Sequence, residues 1–356
     1  MTRPPVHLFL SLILITLAAG VSPGCRRRPR TAERQWPAMG TRAVIAVPLG
    51  ETNSLPEYAS SCAEHMDELE SLLSVYRSDS EISRLNASAG RSAVNVSRHT
   101  RAVLELALLY ARRTGGLFDP AVAPLMKLWG FRNGRIKKPP DEASISAALR
   151  LAGYSRLELS GNSAFLNKAG SAVDLGGIAK GYAVDVCYTN LSASGAANFL
   201  VNLGGNMRCR GVPDPRNLEG KWKIGVRNPF DADSIIGTIL LPGGMAVATS
   251  GSYERFVTID GARYCHIIDP RTGYPVSGTA GVTVIAPTAT EADALSTALF
   301  AAGPEGAGEI LRAYPDCRAL IVPDGRPPVM KLSRGFHEWF RPEREFSSSA
   351  VSLAGQ

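Results

Sequence analysis

Cysteine and histidine are both scarce here, and neither falls into a metal-binding pattern. The 356-residue chain holds six cysteines, Cys25, Cys62, Cys187, Cys209, Cys265 and Cys317. None forms a Cys-x-x-Cys pair, which argues against a thiolate zinc site. With Cys25 acylated, the odd number left, irregularly spaced, makes no disulfide framework. Of the five histidines, His7, His65, His99 and His337 fall in the N-terminal apolar stretch, in helix-like segments or near the C-terminal end, so His266 is the one placed for chemistry. The Gly-x4-Gly-Lys-Ser/Thr phosphate loop is absent, which excludes a P-loop nucleotidase. No internal repeat is present. No long basic helix or aromatic-interleaved basic stripe accompanies the formal net charge of +7, so nucleic acid is a poor partner. The charge is scattered, with clusters at Arg26–Arg30 and at Arg132, Arg135, Lys137 and Lys138. Such a surface suits an anionic ligand or a bilayer face equally.

What is present begins at the N-terminus. Arg3 precedes "HLFLSLILITLAAG", an apolar run too short to span a bilayer comfortably and suited to a signal-peptide core. Gly24-Cys25 is what a bacterial lipoprotein cleavage site requires, whereas Ser22 and the "RRRPR" that follows depart from that pattern. The expectation is an exported chain, lipid-anchored at Cys25, with a short N-terminal membrane anchor as the rival. Residues 1–25 are then the signal peptide, 26–35 a polar linker, 36–340 one domain and 341–356 a disordered small-residue tail.

Periodicity organises the domain. "TRAVIAVPL" reads as a strand. Apolar residues from Pro56 to Val75 recur at helical spacing. A second helix starts at Ser97 as N-cap and stops at Gly115-Gly116. Shorter helices are expected in "DEASISAALRLAG" and "GIAKGYAVDVCYTNLSASG". A run of strands fills the second half, one helix follows it, and "CRALIVPDG" is a late strand. Early helices followed by a strand-rich half favour α+β over a doubly wound parallel sheet.

Three stretches carry oxygen-rich or charged side chains beside glycine or proline. "VDLGGIAKGYAVD" runs from Asp174 through Gly176-Gly177 into a helix bearing Lys180. Glycines admit a ligand to the backbone and a helix N-terminus favours anions; an ordinary strand-to-helix turn would look the same. In "YCHIIDPRTGYPV", His266 could act as a base or steer a phosphate, or be a plain edge-strand residue. Asp269 could likewise only organise its turn. In "PTATEADALSTALFAAG", Asp293, Ser296 and Thr297 share one helical face. Thr288 and Glu291 have capping-box spacing, as do Thr290 and Asp293, which leaves Thr297 unexplained. Oxygen ligands without Cys or His suit Mg2+ rather than zinc. Met39, Tyr76, Leu117, Phe118 and Asp119 sit at element ends or in turns, where they could enclose a flat ring or simply join the core.

Taken in order, "AMGT", "YRSDSEISRLN", "GGLFDPAVAPLMKLWGF", "DLGGIAKGYAVD", "VNLGGN", "AVATSGSYERF", "HIIDPRTGYPV" and "EADALSTALF" resemble the ApbE family of FAD:protein FMN transferases, from about Trp36 to about Phe340. Ala121 stands where many members have Thr. The resemblance implies a T-fold-like α+β architecture with mixed, largely antiparallel sheets and flanking helices. It implies FAD as substrate, with contacts at Met39, Tyr76, Leu117, Phe118, Asp119, Asp174, Lys180 and Ile267. It implies Mg2+ held by the backbone oxygen of Gly177, by Asp293 and Thr297, and by Ser296 through its backbone. His266 would lie at the phosphate end, as the favoured base, with Asp269 as the other candidate. The reaction would move FMN onto a Thr or Ser hydroxyl and release AMP. The partner would be a flavoprotein subunit of a membrane redox complex. An FAD pyrophosphatase and a flavin-binding lipoprotein without catalysis are the alternatives; a basic adhesion module has no motif in its favour.

Overall fold

The computed structural model describes residues 31–353 apart from 133–135 and 218. The signal peptide, Cys25 and Arg135 therefore lie outside the described residues. A nine-stranded sheet forms the centre, in the order β1 (Thr31–Ala38), β2 (Thr41–Pro48), β6 (Phe199–Leu203), β7 (Asn206–Arg210), β10 (Ala246–Gly251), β13 (Thr279–Ala286), β14 (Arg318–Pro323), β15 (Met330–Leu332), β17 (Ala350–Ser352). Every pair is antiparallel except β15 with β17. A second sheet has the order β16 (Phe340–Pro342), β9 (Asp231–Leu241), β8 (Trp222–Asn228). A third joins β3 (Val94–Asn95), β5 (Ser163–Leu166) and β4 (Leu157–Ser160), and β11 (Phe256–Ile259) pairs with β12 (Ala262–Cys265). The helices are α1 (Leu55–Leu73), α2 (Glu81–Ala87), α3 (Arg98–Arg113), α4 (Ala123–Leu128), α5 (Glu142–Leu149), α6 (Ala179–Ala193), α7 (Ala289–Arg312) and α8 (Phe336–Trp339).

The layers follow from which faces are apolar. All eight residues of β13 are buried, as a strand covered on both faces requires. Val282 and Val284 pack toward α1, α6 and α7, while Ala280 and Ile285 pack toward β8 and β9. α6 and α7 meet so closely that a Cβ on Gly181 would lie 2.3 Å from the carbonyl oxygen of Ala289. Only glycine permits that approach.

A third apolar cluster fixes the loop after β12. Trp129, fully buried, donates from Nε1 to the carbonyl of Gly273 at 2.8 Å and lies between the rings of Tyr264 and Tyr274. The loop carrying His266 to Gly273 is thus held against α4 and α5.

Two expectations need correction at the ends. Thr31–Gln35, expected in the linker, pair with Ile45–Pro48 and Val44 in the β1–β2 ladder. The 341–356 segment, expected to be disordered, contains β17, and Leu353 is 5% exposed. The outer edge of β15 offers unpaired backbone groups, and this segment satisfies them. Ser97 caps α3 as expected, accepting from Thr100 N at 3.3 Å. The short helices α2 and α4 have no long apolar period that would have revealed them.

Candidate active site

One large cavity, about 920 Å³, opens where the glycine turns, the α6 N-terminus and the β12 loop converge. Met39, Tyr76, Leu117, Phe118, Asp119, Asp174, Gly177, Lys180, His266, Ile267, Asp293 and Thr297 all line it. Six separate stretches of chain are needed to bring these residues together.

Asp293 is 4% exposed. Its Oδ2 accepts from Gly181 N at 2.9 Å, and its Oδ1 lies 3.9 Å from Lys180 Nζ. Gly181 N belongs to the first turn of α6, whose own N-cap, Ile178, supplies no side-chain bond. Asp293 therefore caps the neighbouring helix rather than its own. Thr288 caps α7, its side chain accepting from Glu291 N at 3.2 Å. Burial pushes the Asp293 carboxyl above its ordinary pKa, against the pull of Lys180 and the Gly181 N–H.

One turn along α7, Thr297 Oγ1 donates to the carbonyl of Asp293 at 3.3 Å. A Cβ on Gly177 would sit 3.0 Å from Thr297 Oγ1 and 3.3 Å from the Phe118 ring. Gly177, Thr297 and Asp293 thus meet at one corner of the cavity, where the side-chain oxygens of Asp293 and Thr297 stand without a nitrogen or sulfur ligand among them. This donor set fits a hard divalent cation. Ser296 lies one layer below: it is fully buried, donates to the Asp293 carbonyl at 2.9 Å, and meets Ser250 Oγ at 2.8 Å. It fastens α7 to β10 rather than lining the cavity.

Lys180 Nζ also donates to the Gly176 carbonyl at 3.1 Å, which holds the ammonium over the glycine turn. Asp174 shapes the same turn: Oδ1 accepts from Gly176 N at 2.8 Å while Oδ2 pairs with Arg132 at 2.6 Å. Asp119 spends its two oxygens on Ala121 N at 2.7 Å and Tyr154 N at 2.9 Å. Burial outweighs those bonds and pushes its carboxyl up to about 6. Tyr76, 56% exposed, stands at the mouth.

Met39 is held in an unusual backbone state. It and Gly40 form the two-residue turn of the β1–β2 hairpin, with φ of +48° and +70°. That turn favours Asn or Gly, and a bulky residue there is strained. Glu70 Oε2 accepts from Met39 N at 2.8 Å and anchors the turn. Strain kept at a cavity wall is the kind found at ligand sites.

His266 is half-buried. Burial, seconded by the positive charges of Lys180 and Arg255, pushes its imidazole down to about 4. Its Nδ1 lies 3.1 Å from the Arg255 carbonyl. A carbonyl can only accept, so Nδ1 carries the hydrogen and Nε2 is left basic. Asp269 is placed differently. It accepts from Arg271 N at 2.9 Å, its two oxygens pair with the Arg271 guanidinium, and its side chain is not part of the cavity wall. It organises its turn.

Sequence reasoning assigned no role to Tyr253, Glu254 and Arg255, although all three line the cavity and "SYERF" lay within a recognised motif. Arg132 was visible only as part of a basic cluster. The usable signal was a Gly-flanked charged loop directly after a strand.

The profile of the ApbE family matches residues 39–321. A protein of Treponema pallidum (strain Nichols) named FAD:protein FMN transferase is 35% identical over 335 residues, covering 88% of this chain and 91% of that one. One of Escherichia coli K12 with the same name is 31% identical over 364 residues, covering 98% and 99%. Among solved structures, the ApbE protein of Thermotoga maritima superposes with a TM-score of 0.78 at 35% identity, over 87% of this chain and 99% of that one. The flavin transferase ApbE of Vibrio cholerae gives 0.76 at 30% identity, over 87% and 99%. The cavity, its glycine turns and these likenesses lead to one conclusion: this chain belongs to the ApbE family.

Proposed function

We propose that this protein transfers the FMN moiety of FAD to a Thr or Ser hydroxyl of a target flavoprotein, releasing AMP, with Mg2+ as cofactor. The observation that carries this reading is the corner where Asp293 and Thr297 meet Gly177 beside Lys180, in a cavity that also holds a neutral His266. Asp293, Thr297 and the Gly177 carbonyl would hold Mg2+, which when bound neutralises charge on a pyrophosphate.

The chain's own groups do the rest. Lys180 pairs with a phosphate oxygen from its place above the glycine turn. Met39, Leu117, Phe118 and Ile267 enclose the rings, and Tyr76 closes the mouth. His266 Nε2 takes the proton of the acceptor hydroxyl, whose oxygen bonds to the FMN phosphorus as the anhydride bond to AMP breaks. The proton then passes from His266 to water. Positioning and charge, rather than covalent help, lower the barrier in such transfers.

The target belongs, in this reading, to a membrane redox complex. The protein itself is exported and lipid-anchored through Cys25, supported by the short apolar run and Gly24-Cys25. Incubation with FAD, Mg2+ and an acceptor domain tests the reading, with gel fluorescence for bound flavin and chromatography for AMP. A fluorescent acceptor with AMP supports transfer. FMN and AMP without a fluorescent acceptor would mean hydrolysis, and no turnover would mean a binding protein.

A further inference from the structure

The cavity continues past the residues assigned to flavin and metal until it reaches β8. Ile224, Gly225, Val226 and Arg227 border it in succession. Side chains on a strand alternate between faces. Ile224 and Val226 point into the apolar layer, whereas Gly225 and Arg227 are exposed. Ile239 of β9 borders it too, so the cavity runs along the inner face of this sheet to its outer strand, β8. β8 is an outer strand, paired with β9 alone. Among the described residues, no backbone hydrogen bond outside that ladder reaches residues 222–228.

A free edge is a template for another strand unless it is covered. Here Trp222–Val226 run in regular register, and the ladder slips only at Arg227. Gly225 has no side chain to obstruct an incoming chain. Lys223 and Arg227 are exposed and form no salt bridge among the described residues. Arg227 turns its guanidinium toward the Tyr253 ring, 5.9 Å away on the cavity wall. An extended segment carrying carboxylates matches both the backbone edge and the charge.

We propose that the edge of β8 receives the acceptor segment of the target protein as an added strand, an acidic extended stretch whose Thr or Ser side chain is thereby delivered into the cavity. Main-chain bonds give such docking its affinity, and alternate side chains give it selectivity. The inference rests on the FMN-transfer reading and names how its protein substrate is held.

Two synthetic peptides of about nine residues, long enough to cover the strand, provide the test. Each has one central Thr, flanked by Asp in one and by Lys in the other. With the full protein, FAD and Mg2+, the Asp peptide should be flavinylated with the lower KM. Lys223→Glu should raise that KM about fivefold, because an exposed attraction becomes a repulsion, and should lower it for the Lys peptide. The kcat should hold. Independently, the Asp peptide with Val in place of Thr should slow hydrogen exchange at amides of Trp222–Val226 in the unaltered protein. Equal KM values for the two peptides, insensitive to Lys223→Glu, with no protection on β8, would overturn this inference and leave the transferase reading standing. FAD split to FMN and AMP with neither peptide nor any acceptor protein labelled would overturn both.

Discussion

Asp293→Asn separates a capping carboxylate from a metal-binding one. The amide oxygen of Asn can still accept from Gly181 N, now 2.9 Å from Oδ2. Exchanging a charged acceptor for a neutral one costs about 1–2 kcal/mol. The variant also no longer buries an ionised carboxylate at 4% exposure, whose pKa burial raises, and that relief offsets part of the cost. The net change should be about 1 kcal/mol or less, a melting shift of about 2–4 °C. Turnover should behave otherwise. Without the Asp293 carboxylate, the oxygen corner holds Mg2+ poorly, and a loss of about 1,000-fold, or about 4 kcal/mol of barrier, is expected. Differential scanning fluorimetry and Mg2+-titrated FAD turnover read the two effects side by side. An Asp293→Asn protein with full Mg2+-dependent turnover would refute the reasoning, whatever its melting temperature. Asp293→Ala is the companion: it strips Gly181 N of its partner as well and should lose about 1–3 kcal/mol of stability.

The acid limb of kcat/KM should lie near pH 4–5 rather than near 6.5, because His266 in the free protein loses its proton at about 4. The same depression affects stability. The unfolded state binds the proton more readily, so His266's contribution is complete above about 6.5 and is lost as pH falls toward 4. His266→Gln should flatten that part of a stability–pH curve, measured by urea denaturation. Met39→Gly relieves a residue held at φ +48° and should leave the melting temperature within about 4 °C of the parent, while raising the FAD dissociation constant at least about tenfold. Equal FAD affinity would remove Met39 from the site. Gly181→Ala drives a methyl group to 2.3 Å from the Ala289 carbonyl and should cost about 3 kcal/mol or more by denaturant melt, with α6 forced away from α7.

Much of the site was legible in the sequence, for reasons that differ from residue to residue. Thr288 and Ser97 were readable because a cap is a local pattern of one helix. The leftover Thr297 pointed beyond capping, and it does face the cavity. The capping role of Asp293 was not readable, because the helix it caps lies 112 residues away in the chain. The same distance argument covers Arg132 with Asp174 and Glu70 with the Met39 turn. Asp269 was ambiguous between base and turn. Its nearest cation, Arg271, lies two residues on, and the pairing became apparent only in three dimensions. The tail misled because Ser347–Gln356 has the composition of disorder, whereas strand formation there depends on the open edge of β15.

The central claim is that one oxygen-lined corner and one neutral histidine turn FAD and a protein hydroxyl into a flavinylated protein and AMP. The most direct measurement is intact mass spectrometry of an acceptor domain incubated with this protein and FAD, with AMP quantified in the same sample. The account predicts one FMN bound per AMP released, with both abolished by a chelator and by replacing the acceptor Thr with Val. AMP released at the same rate without any mass gain on the acceptor would contradict it.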